Sequence, residues 1–261
     1  MGDRSAIEWT DATWNPTTGC DRVSPGCDNC YALALAARLK AMGNPRYQQD
    51  GDPPQSGPGF GLTLHEDVLA LPLSWTRPRR VFVNSMSDLF HDDVPGEFVA
   101  RVFEVMERTP RHVYQLLTKR PGRMSSWARR HHPDPLHNVW LGTSVEDQKW
   151  AAVRIPKLRD TPAAIRFVSC EPLLAPVDLS PWIDALDWVI VGGESGVGAR
   201  SMDPAWALEL RDQCRDAGVA FFFKQWGGRT SKTGGRLLDG QTWDEMPTSS
   251  SQGNPAEVRP G

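Results

Sequence analysis

Three cysteines fall within a short stretch of the chain, in the spacing Cys20-x6-Cys27-x2-Cys30. Thiolates are soft ligands that hold iron–sulfur clusters or zinc. Four would close such a site, whereas three leave one position open for a substrate or a cofactor. Pro25 and Gly26 permit the sharp turn that returns Cys27 and Cys30 towards Cys20. A Cys3His or Cys3Asp zinc site is the rival, with His65, His91 or Asp21 as fourth ligand. The cysteine total is 5, an odd number, and the start MGDRSAIEWTD lacks the apolar stretch of a secretory signal. Both facts argue against a disulfide scaffold and for a metal centre in the reducing cytoplasm. Cys214 reads as helix packing, and Cys170, beside Glu171, as core.

These thiols need elements to position them. Short β-rich runs alternate with helical patterns. Strands are expected at Ile7–Trp14, Leu62–His65, Val81–Asn84, His112–Thr118, Val139–Gly142, Ile165–Ser169, Trp188–Val191 and Ala220–Phe223. Several are continuous apolar runs (VFV, WVIV, FFF), the mark of strands buried on both faces of a parallel sheet. Helices are expected at Tyr31–Met42, Gly96–Arg108, Arg123–Arg130, Asp147–Leu158 and Pro204–Ala217. The last has Asp203 as N-cap, Pro204 in the first position and Gly218 as its stop. Repeated β-then-α units imply an α/β fold, a complete or partial TIM-like (β/α) barrel of parallel strands. An open doubly wound sheet is the alternative. The barrel is expected over residues 1–246 as one domain, with a mobile Pro/Gly-rich insertion at 44–61 and a disordered tail at 247–261.

The cysteine loop follows the first strand, at the barrel end where active sites are built. Compact polar motifs end the other strands: Asn84-Ser-Met-Ser-Asp88, Thr118-Lys-Arg120, Gly142-Thr-Ser-Val-Glu146, Ser169-Cys-Glu-Pro172, Gly192-Gly-Glu-Ser-Gly196 and Lys224-Gln-Trp-Gly227. Any one alone reads as a turn or a cap, as Thr143/Ser144 with Glu146 illustrates. In register around one mouth, they offer acceptors for an ammonium and ribose hydroxyls, donors for a carboxylate, and glycines where a ligand meets backbone.

Together with Met86-Ser-Asp-Leu-Phe90 and Glu171-Pro-Leu-Leu174, these motifs resemble a phage-associated three-cysteine family of uncharacterised proteins. That family is similar to a divergent branch of the radical SAM iron–sulfur enzymes, and the resemblance spans roughly residues 5–246. It implies a [4Fe-4S] cluster on Cys20, Cys27 and Cys30, whose open iron binds S-adenosylmethionine. One-electron reduction then gives methionine and a 5′-deoxyadenosyl radical that abstracts hydrogen. The usual loop of such enzymes is Cys-x3-Cys-x2-Cys with an aromatic before the last cysteine; here the first gap is six, Asn29 holds that place and Tyr31 follows. Gly192, Gly193 and Glu194 resemble the segment that binds the methionyl amine, though after a late strand, and Ser87 with Asp88 is the rival. Ser144, Glu146 and Glu171 are the expected ribose or carboxylate contacts, and Tyr31, Asn84, Lys119 and Lys224 complete the expected cofactor-binding set.

The net charge of −3 leaves no global signature of nucleic-acid binding. Locally, Arg111–His132 contains no acid, and Arg77-Pro-Arg-Arg80 adds further cations. Flanked by Trp75 and Trp127, these stretches suit phosphate contact with base stacking, as in DNA repair or base modification. A solvated helix face and core tryptophans are the plainer reading, and peptide or small-molecule substrates compete. A zinc-stabilised nucleic-acid-binding or phage accessory module without catalysis is the alternative function. The radical chemistry also requires an electron donor protein, and the resemblance adds a family partner protein. No apolar run is long enough to span a membrane.

Overall fold

The computed structural model describes residues 5, 7–230 and 233–248. In chain order the elements are β1 (Ala12–Trp14), β2 (Thr17–Thr18), α1 (Tyr31–Ala41), β3 (Thr63–Leu64), β4 (Arg80–Val83), α2 (Gly96–Glu107), β5 (Val113–Thr118), α3 (Pro121–His131), β6 (Val139–Ser144), α4 (Gln148–Arg159), β7 (Ile165–Cys170), β8 (Trp188–Gly192), α5 (Pro204–Ala217) and β9 (Ala220–Gln225). Seven strands form one sheet in the order β1-β4-β5-β6-β7-β8-β9, every neighbouring pair parallel. Sequential order without reversal excludes the doubly wound alternative, which needs a switch point. The sheet curls into a partial (β/α) barrel.

Alternation along the strands separates two cores. Outward residues such as Val81, Leu116, Val168, Val191 and Phe223 pack with the helices, as does Trp127 of α3. Inward residues form a second cluster: Trp9, Phe82, Trp140, Phe167, Trp188 and Phe222 fill the inside of the curl. This double burial is why the strands read as continuous apolar runs. A side chain at Gly142 would bring its Cβ within 2.6 Å of the Phe167 ring. Gly142→Ala is therefore expected to cost about 1–3 kcal/mol by overpacking, measured as a lowered denaturation midpoint at unchanged slope.

Two expected strands differ. Of Ile7–Trp14 only Ala12–Trp14 is extended, because the Thr10 amide turns back to Ile7 O and drives Trp9 into the barrel. Leu62–His65 is shorter and lies outside the main sheet, pairing antiparallel with Thr17–Thr18. The end of the sheet at β9 is covered by chain near residue 244, where Phe223 N donates to Trp243 O and Glu245 N to Phe221 O. The insertion at 44–61 is anchored on α1: Tyr47 and Phe60 are buried beside Ala32 and Ala36, and Asp50 binds Lys40 and Gly59 N. Asp203 and Gly218 cap α5 as expected, Gly218 at φ 69°. Most of the expected tail lies outside the described residues. Among the described residues no helix is long and apolar enough to cross a membrane.

Candidate functional site

A cavity of about 610 Å³ opens at the C-terminal ends of the parallel strands, and Cys20, Cys27 and Cys30 all line it. All three are free thiols. Cys20 is set by interlocked polar motifs. Asn15 Oδ1 accepts from Ser85 Oγ and Met86 N at 3.1 and 3.2 Å; Asn84 Nδ2 donates to Thr17 Oγ1 at 2.8 Å; Ser87 Oγ donates to Thr17 O at 2.8 Å. Gly19 adopts φ 87°, and a Cβ there would lie 2.2 Å from Gly61 O, so only glycine can lead the chain into Cys20. Cys27 closes a 3-10 turn over Pro25–Cys27, and Cys30 is the N-cap of α1.

Asp88 ties its own loop to the end of β5. Its Oδ1 accepts from Thr118 Oγ1 at 2.7 Å and Phe90 N at 3.0 Å, and its Oδ2 from Lys119 N at 3.0 Å and Arg120 Nη1 at 3.2 Å. Arg120 Nη1 also donates to Cys20 Sγ at 3.5 Å. Burial, with the Asp88 charge adding to it, pushes the Cys20 thiol up to about 12, although Arg120 pulls the other way. Burial also raises Cys30, against the pull of Lys119. Both thiols therefore stay protonated at neutral pH unless a bound cation displaces the proton.

Of the expected zinc partners, His65 Nε2 contacts Thr18 Oγ1 at 2.9 Å, while His91 Nε2 contacts Asp21 Oδ2 at 3.2 Å and Asp21 lines the cavity. Among the described residues no three His, Cys, Asp or Glu side chains gather tightly enough for a single ion.

Across the mouth, the loops after β8 and β9 interlock. A Cβ on Gly193 would lie 1.9 Å from Trp226 O, and one on Gly227 would lie 2.1 Å from Glu194 O. Glu194 is buried, and its Oε2 accepts from Asn29 Nδ2, Arg200 N and Arg200 Nε, each at 2.9 Å. Burial alone would raise its pKa, but the Arg200 and Asn29 hydrogen bonds outweigh it and hold the carboxyl below its ordinary value. Stability from this group is therefore present above its unfolded pKa of about 4.3 and lost as pH falls through the lower folded value. The stability gap between wild type and Glu194→Gln is expected to be flat from pH 6 to 8 and to shrink below about pH 4, read by urea unfolding at stepped pH.

Tyr31, Asn84, Ser87, Asp88, Lys119, Ser144, Glu171, Gly193, Glu194 and Lys224 line the cavity. Lys224 pairs with Glu171, and the Tyr31 hydroxyl donates to Ser85 O. Asn84, at φ 60°, leaves its buried Oδ1 without a partner. Two expected residues lie outside the lining. Glu146 is turned beneath the cysteine loop, where it pairs with buried Arg154 at 2.8 Å, and Asp147 instead caps α4 through Trp150 N. Gly192 ends β8, and its carbonyl accepts from Leu173 N at 3.0 Å. Cys170 is fully buried in the outer core.

Arg120, Asn29, Arg200 and Ser169 were not among the expected contacts. Arg120 and Ser169 sit in strand-end motifs already singled out, so their position was a usable signal. Asn29 stood out only as the residue in place of the usual aromatic and Arg200 not at all, because the role of both depends on two loops meeting.

The basic stretches lie mostly away from the cavity. Arg77–Arg80 lead into the start of β4, Arg111 precedes β5, and Arg129–His131 end α3 with His132 just after it, so strand direction puts them at the opposite end of the barrel. Of these stretches only Leu117, Thr118, Lys119 and Arg120 reach the cavity. Arg111 is tied to Trp75 O at 2.9 Å. Trp75 and Trp127 are not exposed stacking platforms: both are buried, Trp75 against His112 and Trp127 against Phe103 and His131.

A family model described as a protein of unknown function (DUF5131) matches residues 4–247. The chain belongs to this family. No curated protein matches it. Among solved structures, it is similar to "spore photoproduct lyase complexed with dinucleoside spore photoproduct", at 11% identity and a TM-score of 0.46, over 79% of this chain and 75% of that one.

Proposed function

We propose that this chain is a radical SAM-type enzyme. The observation that carries the reading is the convergence of three free thiols from one loop on one cavity at the C-terminal ends of a partial (β/α) barrel. The donor set fits a [4Fe-4S] cluster with S-adenosylmethionine. Three cysteines supply its ligands, Lys119 beside Cys30 offsets its negative charge, Arg120 donates a hydrogen bond to Cys20 Sγ, and the unpartnered Asn84 Oδ1 offers an acceptor for an ammonium. When bound, the group supplies a 5′-deoxyadenosyl radical on one-electron reduction, and the protein positions it.

The chain's own residues divide the remaining work. Asp88 fixes Arg120 against Cys20. Lys224 pairs with Glu171 in the cavity lining, and Ser144 and Ser169 add hydroxyls. Phe82 and Leu117 give the cavity an apolar wall, which limits water near a reactive centre. A nucleic-acid substrate would have to reach this cavity without Arg77–Arg80 or Arg129–His132, which sit at the other end of the strands. An electron donor remains a requirement of the chemistry.

Anaerobic reconstitution with iron and sulfide is expected to give a brown protein with about four irons per chain that releases 5′-deoxyadenosine from S-adenosylmethionine under reduction. A colourless protein holding one zinc, with no cofactor turnover, would overturn the reading in favour of a zinc-stabilised module.

A further inference from the structure

We propose that Glu194 and Arg200 form a clamp that holds the cysteine loop on the barrel mouth, which makes both of them positioning residues. Cys20 is fixed from the β4 and β5 side, through Gly19 N to Met86 O at 3.0 Å and through Arg120. Segment 25–29, which carries Cys27, is fixed from the opposite side. Asn29 Nδ2 donates to Glu194 Oε2 at 2.9 Å and to Gly198 O at 3.2 Å, and Arg200 Nη2 donates to Pro25 O at 2.8 Å. The same Arg200 nitrogen holds Glu194 Oε1, and Arg200 Nη1 lies 3.7 Å from Asp28 Oδ2. One guanidinium fork thus bridges the β8 loop and the turn before Cys27, a task suited to arginine and beyond a point-charge lysine.

A carboxylate has about four acceptor positions. Glu194 uses four contacts on protein donors, three on Oε2 and one on Oε1. Its charge is matched by Arg200, so little of it is left for an incoming amine. The Gly193-Glu194 motif works through its backbone, which lets the β8 and β9 loops cross closely enough to aim the carboxylate at Asn29.

That the held loop carries a cluster rests on the function proposed above; that the clamp holds the loop does not. Hydrogen exchange on the full chain tests the clamp without metal. In Arg200→Ala, amides of residues 24–30 are expected to exchange about tenfold faster or more, with β5 to β8 unchanged. On reconstituted protein, a chelator should strip iron faster from the variant, and the EPR signature of the reduced cluster should shift. Arg200→Lys should recover the charge without the protection at 24–30. If Arg200→Ala unfolds globally, Asn29→Ala decides, since it leaves the Glu194–Arg200 pair in place and should show the same local acceleration. Unchanged exchange at 24–30 in a folded variant would overturn the clamp. A wild-type chain that takes up no iron would sink the proposed function and leave the exchange result standing.

Discussion

Cys27→Ala is expected to fold like the wild type and to abolish release of 5′-deoxyadenosine from S-adenosylmethionine. The fold should survive because the residue sits in a half-buried turn whose backbone bond, Cys27 N to Ser24 O at 2.8 Å, needs no side chain. A substitution of this kind costs about 1 kcal/mol or less. The chemistry should fail because only three cysteines face the cavity; Cys170 and Cys214 are buried in the outer core and cannot replace a lost ligand. Iron content, the visible absorption of the cluster and product release measure the effect together. Wild-type iron and wild-type turnover in the variant would refute the assignment of Cys27 as a ligand.

The largest effect on stability is expected at Arg154. Its side chain and that of Glu146 are each 1% exposed, and Arg154 Nη1 donates to Glu146 Oε2 and to Ser144 O, both at 2.8 Å. The guanidinium also lies 4.2 Å from the Trp150 ring. Arg154→Met leaves the carboxylate buried without its charge partner, a change that costs about 3–5 kcal/mol. For a chain of this size the melting temperature should fall on the order of 10 °C. Glu146→Leu in the Arg154→Met background should restore most of the loss, because two apolar groups need no compensation. A double-mutant cycle gives the coupling directly, and additive effects would show that the pair does not act as a unit. The pair lies directly under Gly26, where a Cβ would come within 3.2 Å of the Glu146 carboxyl, so its loss should loosen the cysteine loop as well.

Much of the architecture was legible because its signals are local. Continuous apolar runs mark strands covered on both faces, and Asp203, Pro204 and Gly218 delimit α5 through bonds made within a few residues. Three close cysteines mark a candidate ligand loop with no need of tertiary information. The β-then-α alternation implies parallel strands and therefore a mouth at one end, where most of the polar motifs meet.

What stayed hidden depends on which segments meet in space. Glu146 and Glu171 both follow strands in polar motifs, yet one turns under the loop to Arg154 and the other faces the cavity with Lys224. Trp75 and Trp127 stand among cations in the chain, but the helices bury their rings. The basic stretches look like one patch along the sequence, and strand direction sends most of it to the far end of the barrel. By itself the sequence determined the thiols, the element types and the end of the barrel where the thiols and most polar motifs gather, since each follows from neighbours along the chain. The tertiary structure alone decided which charges are spent on one another and which remain for a ligand, because a carboxylate's role is set by the donors that reach it, and those arrive from Asn29 and Arg200 on loops far apart in sequence.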